Sequence, residues 1–160
     1  MTRGCFITLE GGEGTGKSTL MSALRARLEA SGKHVVETRE PGGTILAEAI
    51  RNFVLHPPEG QTWSPMAEAL LMNAARTDHL EKRIRPALED GTWVLCDRFA
   101  DSTRVYQSVQ GGVSLGVLKL LEGSVLGETR PDLTLVLDAP VELTAGRRAD
   151  RGGAADTFEV

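Results

Sequence analysis

The chain turns from strand to helix through Phe6-Ile7-Thr8-Leu9-Glu10-Gly11-Gly12-Glu13-Gly14-Thr15-Gly16-Lys17-Ser18-Thr19-Leu20. Gly11 to Ser18 match G-x-x-x-x-G-K-[ST], the P-loop pattern, with glycine also at its fourth position. Glycine lets the backbone curl tightly enough to aim successive N–H groups at one anion. Lys17 adds a point charge suited to β/γ-phosphates, and the Ser18 hydroxyl is placed to ligate Mg²⁺. An apolar, β-branched run precedes the loop and a helical pattern follows it. Phosphate would therefore meet a helix N-terminus, where unpaired N–H groups and the helix dipole favour negative charge. The candidate ATP-phosphate ligands are Gly11, Gly12, Glu13, Gly14, Thr15, Gly16, Lys17, Ser18 and Thr19.

Outward from this motif, the chain has the size and balance of one globular domain over residues 1–160. It is 41% hydrophobic and 25% charged, with a net charge of −4. That charge argues against a nucleic-acid partner, which would call for a basic excess. No apolar stretch is long enough to span a membrane, and Met1 to Gly4 run straight into a strand with no signal peptide. Cys5 and Cys96 lack metal-ligand spacing and read as reduced core residues of a cytoplasmic protein. His34, His56 and His79 are scattered and read as surface or loop residues.

Strands are expected at residues 6–10, 34–38, 93–97 and 133–138, alternating with helices. Helix one, about 17–30, carries Leu20, Leu24 and Leu28 on one stripe; the next, about 44–55, carries Leu46, Ile50, Phe53 and Val54. Ser64-Pro65 opens a third, bearing Leu70, Leu71, Ala74 and Ala75 and continuing toward Leu88 with a break near Pro86. A short helix starts near Ser102, Ser114 opens another through Leu126, and Pro140 starts a last one through Arg148. Alternating strands and helices with continuously apolar strands predict an α/β fold with a parallel sheet covered on both faces. The glycine-rich tail from Arg151 to Asp156 reads as a loop.

Four further segments, in order, resemble thymidylate kinase: Thr38-Arg39-Glu40-Pro41-Gly42-Gly43-Thr44, Asn73-Ala74-Ala75-Arg76, Asp97-Arg98-Phe99-Ala100-Asp101-Ser102-Thr103 with Tyr106-Gln107, and Arg130-Pro131-Asp132-Leu133-Thr134. The resemblance implies a three-layer P-loop kinase fold and transfer of the ATP γ-phosphoryl to dTMP, giving dTDP and ADP with Mg²⁺. It implies further that Arg98 and Arg51 bind the acceptor phosphate, Arg76 reads the thymine edge, and Asp97 stands near the metal. Ser102, Thr103 and Gln107 would line the nucleoside pocket, and Met72 would take the place of a phenylalanine that stacks on the base. Read without the family, Arg51 and Arg76 are ordinary helix arginines, Arg98 an ion-pair partner of Asp97 or Asp101, Asp97 a strand-end cap, and Ser102 or Thr103 an N-cap.

Glu13 is a carboxylate inside a phosphate loop; in the family this position holds the deoxyribose 3′-hydroxyl. Gly14 stands where one subgroup carries a catalytic arginine, so the chain resembles the subgroup that supplies arginines from its lid. Arg147, Arg148 and Arg151 lie where that lid should be, making Lys17, Glu13, Arg98, Arg147 and Arg151 the catalytic candidates. Two departures from the family pattern are Gly111, usually arginine, and Thr157, also usually arginine.

Family members run on for a further helix or two and a last strand, whereas this chain stops at Val160. The expectation is a core over 1–146, the start of a lid over 147–160, and a fold lacking its last strand and helix. The family also implies a cytoplasmic homodimer. The rival readings are a kinase for another nucleoside monophosphate and a truncated nucleotide-binding module without turnover.

Overall fold

The computed structural model describes residues 2–140, 142 and 144. Four strands, β1 (Phe6–Glu10), β2 (Val35–Arg39), β3 (Trp93–Asp97) and β4 (Leu133–Val136), form one parallel sheet in the order β2-β3-β1-β4. Leu9 pairs with Asp97 and Asp97 with Arg39, so β1, β2 and β3 reach their carboxyl ends at one level. The chain leaves β1 toward the β2 side and leaves β3 toward the β4 side. The crevice at the carboxyl ends of β1 and β3 is thus the switch point at which open α/β sheets bind ligands.

All five β1 side chains are buried. Successive strand residues point to opposite faces, so both faces of the sheet are covered at β1, whereas Leu133 and Val136 of β4 are exposed. Helix α1 (Lys17–Ala30) packs along β1, β2 and β3. Elsewhere Phe6, Val94 and Cys96 cluster with Leu80, Ile84, Leu88 and Leu126. Phe6 meets Phe99 edge to face, centroids 5.1 Å apart.

The remaining helices are α2 (Ile45–Leu55), α3 (Pro65–His79), α4 (Arg85–Glu89), α5 (Ala100–Thr103) and α6 (Leu115–Leu126). Thr44 and Ser64 cap α2 and α3 through their hydroxyls, accepting from the N–H groups of Ala47 and Ala67. The expected break near Pro86 does not occur. A π-helical turn, Leu80–Ile84, widens the backbone, and Pro86 falls in the first turn of α4, where its missing N–H is not needed. A second π-helical stretch, Arg104–Gln110, extends α5.

Three apolar stripes differ from expectation. In α1 only Lys17 is buried, while Leu24 and Leu28 are half-buried and Leu20 exposed. In α2 the buried residues are Ala47, Val54 and Leu55, and Leu46 and Phe53 are exposed. In α3 Leu70 and Ala74 face out and the inward face is Ala69, Met72, Asn73, Ala75, Arg76 and His79. That face is partly polar because it borders a cavity, so hydrophobic periodicity marks the wrong side. Of the cysteines, Cys96 is buried, and burial pushes its thiol well above its usual value; Cys5 is half-buried.

Phe6 joins the sheet to the loop after β3. Phe6→Ala is expected to cost about 3–5 kcal/mol, the usual cost of emptying an aromatic core site. Urea denaturation of both proteins would measure it, and a loss below about 1 kcal/mol would mean the Phe6–Phe99 contact is not central to the core.

Candidate active site

The loop between β1 and α1 carries positive φ at Gly11, Gly14 and Gly16. Thr15 Oγ1 donates to the Gly12 carbonyl at 2.7 Å, and Lys17 Nζ donates to the carbonyls of Gly11 and Gly12 at 2.9 and 3.1 Å. The first turn of α1 has no acidic residue of its own to oppose an anion at its N-terminus. Gly14 has a specific constraint: φ is 76°, and a Cβ there would stand 3.0 Å from the Thr144 carbonyl oxygen. An arginine at this position would be strained, which fits the absence of one in this chain.

Beside this loop lies a cavity of about 190 Å³. Among the residues that line it are Glu13, Lys17, Ser18, Asp97, Arg51, Met72, Arg76, Arg98, Ser102, Thr103 and Gln107. Gly11, Gly12, Thr15 and Thr19 are outside this wall; Gly11 and Gly12 border a neighbouring groove of about 590 Å³. Arg147, Arg148, Arg151 and Thr157, with the expected core–lid boundary at 146–147, lie outside the described residues.

Arg98 sits at φ 66°, a left-handed conformation uncommon for any residue but glycine. Its N–H donates to the Leu9 carbonyl at 2.8 Å, and the next N–H, of Phe99, donates to Glu10 Oε1 at 2.8 Å. The guanidinium donates to Tyr106 Oη at 3.2 Å and to Ser102 Oγ at 3.4 Å, and stands 5.6 Å above the Tyr106 ring. Ser102 Oγ donates in turn to Glu10 Oε2 at 2.7 Å. Desolvation pushes the Glu10 carboxyl above its usual value, against the lowering effect of Ser102 and the Phe99 N–H. Phe99 is the residue that caps α5, so Ser102 and Thr103 are inside the helix and not its N-cap.

Arg76 is almost wholly buried. Its Nε donates to Glu40 Oε2 at 2.7 Å and one terminal nitrogen to Thr103 Oγ1 at 2.9 Å, while the Phe99 ring lies 5.2 Å from its guanidinium carbon. Arg51 donates to the Pro41 carbonyl at 3.1 Å, and Gln107 donates to Glu68 at 3.1 Å. His79, expected at the surface, is instead fully buried, between Thr38 and Glu40. The signal for it was its spacing: three residues after Arg76 on a helix, His79 shares that residue's face. Glu40, Phe99, Tyr106 and Glu10 also shape the site without having been singled out.

Asp97 Oδ1 is buried and, among the described residues, has no hydrogen-bond partner. A buried carboxylate oxygen left so is costly. Asp97 and Ser18 both line the cavity, and both are residues with hard oxygen donors suited to Mg²⁺.

The sequence profile of the family described as "Thymidylate kinase" matches residues 9–159. A thymidylate kinase of Caulobacter vibrioides is 54% identical over 155 residues, covering 97% of this chain and 74% of the relative. One of Nitrobacter winogradskyi is 54% identical over 160 residues, covering 99% of this chain and 69% of the relative. Among solved structures, the crystal structure of thymidylate kinase from Ehrlichia chaffeensis superposes with a TM-score of 0.75 at 35% identity, covering 92% of this chain and 78% of that one.

The segment after β2 is tied down by Glu48, whose carboxylate accepts from the Gly43 N–H at 2.9 Å and from Arg39 at 3.0 Å. Desolvation pushes the Glu48 carboxyl up, but the Gly43 N–H and the Arg39 guanidinium outweigh it and hold it below its usual value. A lowered carboxylate contributes stability above its unfolded pKa and loses it as pH falls through the folded one. Glu48→Gln should therefore be less stable than wild type at neutral pH, with the gap closing as pH falls below the ordinary glutamate range. Urea denaturation across pH measures this; a gap independent of pH would show that charge is not what holds the segment.

Proposed function

The chain belongs to the thymidylate kinase family, and from that premise we propose how its residues divide the work. The reaction is transfer of the γ-phosphoryl of ATP to dTMP, giving dTDP and ADP on the route to dTTP. Neither a kinase for another nucleoside monophosphate nor a binding module without turnover is favoured by these likenesses.

One observation carries the assignment of roles. Lys17 and Ser18 of the phosphate loop share a single small cavity with four arginines, Arg39, Arg51, Arg76 and Arg98, of which Arg39 is paired with Glu48. In our reading the loop N–H groups and Lys17 hold the ATP phosphates, while Arg98 and Arg51 grip the dTMP phosphate. A guanidinium presents two parallel donors to a phosphate, which fixes direction as well as charge. Arg76 meets the thymine edge, Met72 packs on the ring, Ser102, Thr103 and Gln107 close the nucleoside pocket, and Glu13 takes the sugar hydroxyl. Phosphoryl transfer of this kind rests on positioning and charge neutralisation, with no covalent intermediate required. Arg147 and Arg151 are assigned to the transferring group by family resemblance alone.

Thymidylate kinases use a divalent metal with ATP, and we take it to be Mg²⁺, held by Ser18 and Asp97. When bound it neutralises phosphate charge. We also propose a homodimer, supported by exposed leucines on three helices: Leu46 of α2, Leu70 of α3 and Leu120 of α6. No helix among the described residues is long and apolar enough to cross a membrane. We place the chain in the cytoplasm, where its two cysteines would remain thiols. Residues 1–146 then act as the kinase core and 147–160 as the start of the lid.

An ADP-release assay with dTMP, dUMP, dCMP, AMP and GMP as acceptors tests the acceptor assignment, with dTMP expected to be preferred. Lys17→Ala should abolish ATP binding by calorimetry while leaving the fold intact; wild-type affinity in that variant would sink the phosphate-loop assignment. Arg98→Lys keeps the charge and loses the two-pronged geometry, so KM for dTMP should rise on the order of tenfold or more with KM for ATP unchanged. The reverse pattern would put Arg98 on the donor side.

A further inference from the structure

His79 is a fully buried imidazole, one turn beyond Arg76 on α3, in a protein whose chemistry does not call on it. Both of its nitrogens are engaged: Nδ1 lies 3.1 Å from Glu40 Oε1 and Nε2 lies 2.7 Å from Thr38 Oγ1. A carboxylate can only accept, so Nδ1 carries the proton and donates it to Glu40. In the neutral ring Nε2 then accepts from the Thr38 hydroxyl. The other Glu40 oxygen, Oε2, takes the Arg76 Nε proton at 2.7 Å. One carboxylate, itself buried, is therefore held from both sides by two residues of a single helix face.

The surroundings leave this arrangement little freedom. A Cβ on Gly43, whose φ is 89°, would come within 2.3 Å of His79 Nε2 and 2.5 Å of Thr38 Oγ1, so the loop after Glu40 is seated directly on the ring. Of the five N–H donors of Arg76, Nε–H is committed to Glu40, one terminal N–H to Thr103, and one, at 3.5 Å, to Asn73. The rest remain for whatever occupies the cavity that Arg76 lines. The guanidinium is planar, so the bonds to Glu40 at Nε and to Thr103 at one terminal nitrogen together set the angle at which the remaining donors are presented. The angle of Glu40 is set by His79.

We infer that His79 is a positioning residue for acceptor-base recognition: through Glu40 it fixes the plane in which Arg76 presents its free N–H donors to the nucleobase edge. It touches no substrate, and its influence falls on the base and not on the phosphates. The inference rests on the reading that Arg76 meets the acceptor base.

Side-chain geometry supplies the test. Asparagine can place its Nδ2 donor near the position of imidazole Nδ1, whereas glutamine places its Nε2 near imidazole Nε2. His79→Asn keeps a donor to Glu40; His79→Gln offers one only toward Thr38. The readout is the ratio of affinities, by calorimetry, for dTMP over 2-deoxyribose 5-phosphate, which has the phosphate and sugar but no base. Loss of a directed hydrogen bond to a charged group should lower that ratio roughly tenfold in His79→Gln, and His79→Asn should recover most of it. KM for ATP should not move in either. Damage to packing alone would weaken both ligands and leave the ratio alone. Equal ratios in wild type and both variants overturn the inference, as does an equal loss in both variants.

Arg76→Gln, measured alongside, separates the two layers. If it collapses the ratio while His79→Gln does not, only the role of His79 is overturned. If Arg76→Gln leaves the ratio unchanged, the base-edge reading fails, and the inference with it. Should His79→Gln not fold, Thr38→Val decides: it removes the hydroxyl that anchors the far side of the ring, and a ratio equal to wild type overturns the inference.

Discussion

Burial of carboxylates at the carboxyl edge of a parallel sheet is the constraint from which this site follows. Glu10 ends β1, Glu40 follows β2 and Asp97 ends β3, and the register brings these ends to one level. A charged oxygen out of water must be paired or compensated. Glu10 is satisfied by the Phe99 N–H and the Ser102 hydroxyl, and Glu40 by Arg76 and His79. At Asp97, one oxygen is left without a partner among the described residues. The two satisfied carboxylates organise the arginines, and the third lines the same cavity as Lys17 and Ser18 of the phosphate loop. Three demands for compensation, made side by side by the sheet geometry, account for much of what surrounds the cavity.

The sheet was legible in the sequence because its strands are nearly continuous apolar runs bounded by glycine and charge, and their limits shift by at most two residues at any end. The phosphate loop was legible because its glycines, lysine and serine have fixed spacing. What periodicity could not convey was the inward face of α3. Leu70 and Leu71 suggest a stripe that the structure turns partly outward, since Met72 and Arg76 line a cavity and Arg76 and His79 hold the buried Glu40 carboxylate. The same blindness put His79 on the surface. Its spacing from Arg76 gave the face it shares, but its partners Glu40 and Thr38, some forty positions away, are brought against it only by the fold. Pro86 misled for a different reason. Proline breaks a helix whose register is kept, whereas here a π-helical turn just before it changes the register.

The loop motif Arg39-Glu40-Pro41-Gly42-Gly43 is read most simply as a platform with several separate anchors. Glu48 holds the Gly43 N–H and Arg39, Arg51 holds the Pro41 carbonyl, and His79 holds Glu40. Each anchor comes from α2 or α3, so the packing of those two helices on each other governs the shape of this wall of the cavity. A change at their exposed faces, where an assembly contact is proposed, would reach the cavity through these same bonds.

Asp97-Arg98-Phe99 compresses three tasks into three consecutive residues, and the backbone explains how. In a regular strand Asp97 and Phe99 would point to one side and Arg98 to the other. The left-handed conformation at Arg98 breaks that alternation, so that Asp97, the Arg98 guanidinium and the Phe99 ring all border one cavity. A non-glycine residue held there costs on the order of 1–3 kcal/mol and persists only where its surroundings over-determine it. They do so here: the Arg98 N–H is bonded to Leu9, its carbonyl accepts from Cys96 Sγ, and the next N–H is bonded to Glu10. Phe99 is pinned further by Phe6 on its edge and stands 5.2 Å from the Arg76 guanidinium carbon. The strained turn thus couples the residue assigned to the acceptor phosphate to the residue assigned to the base. A disturbance of either is expected to be felt by the other, because Phe99, next in the chain to Arg98, is the ring that lies by the Arg76 guanidinium.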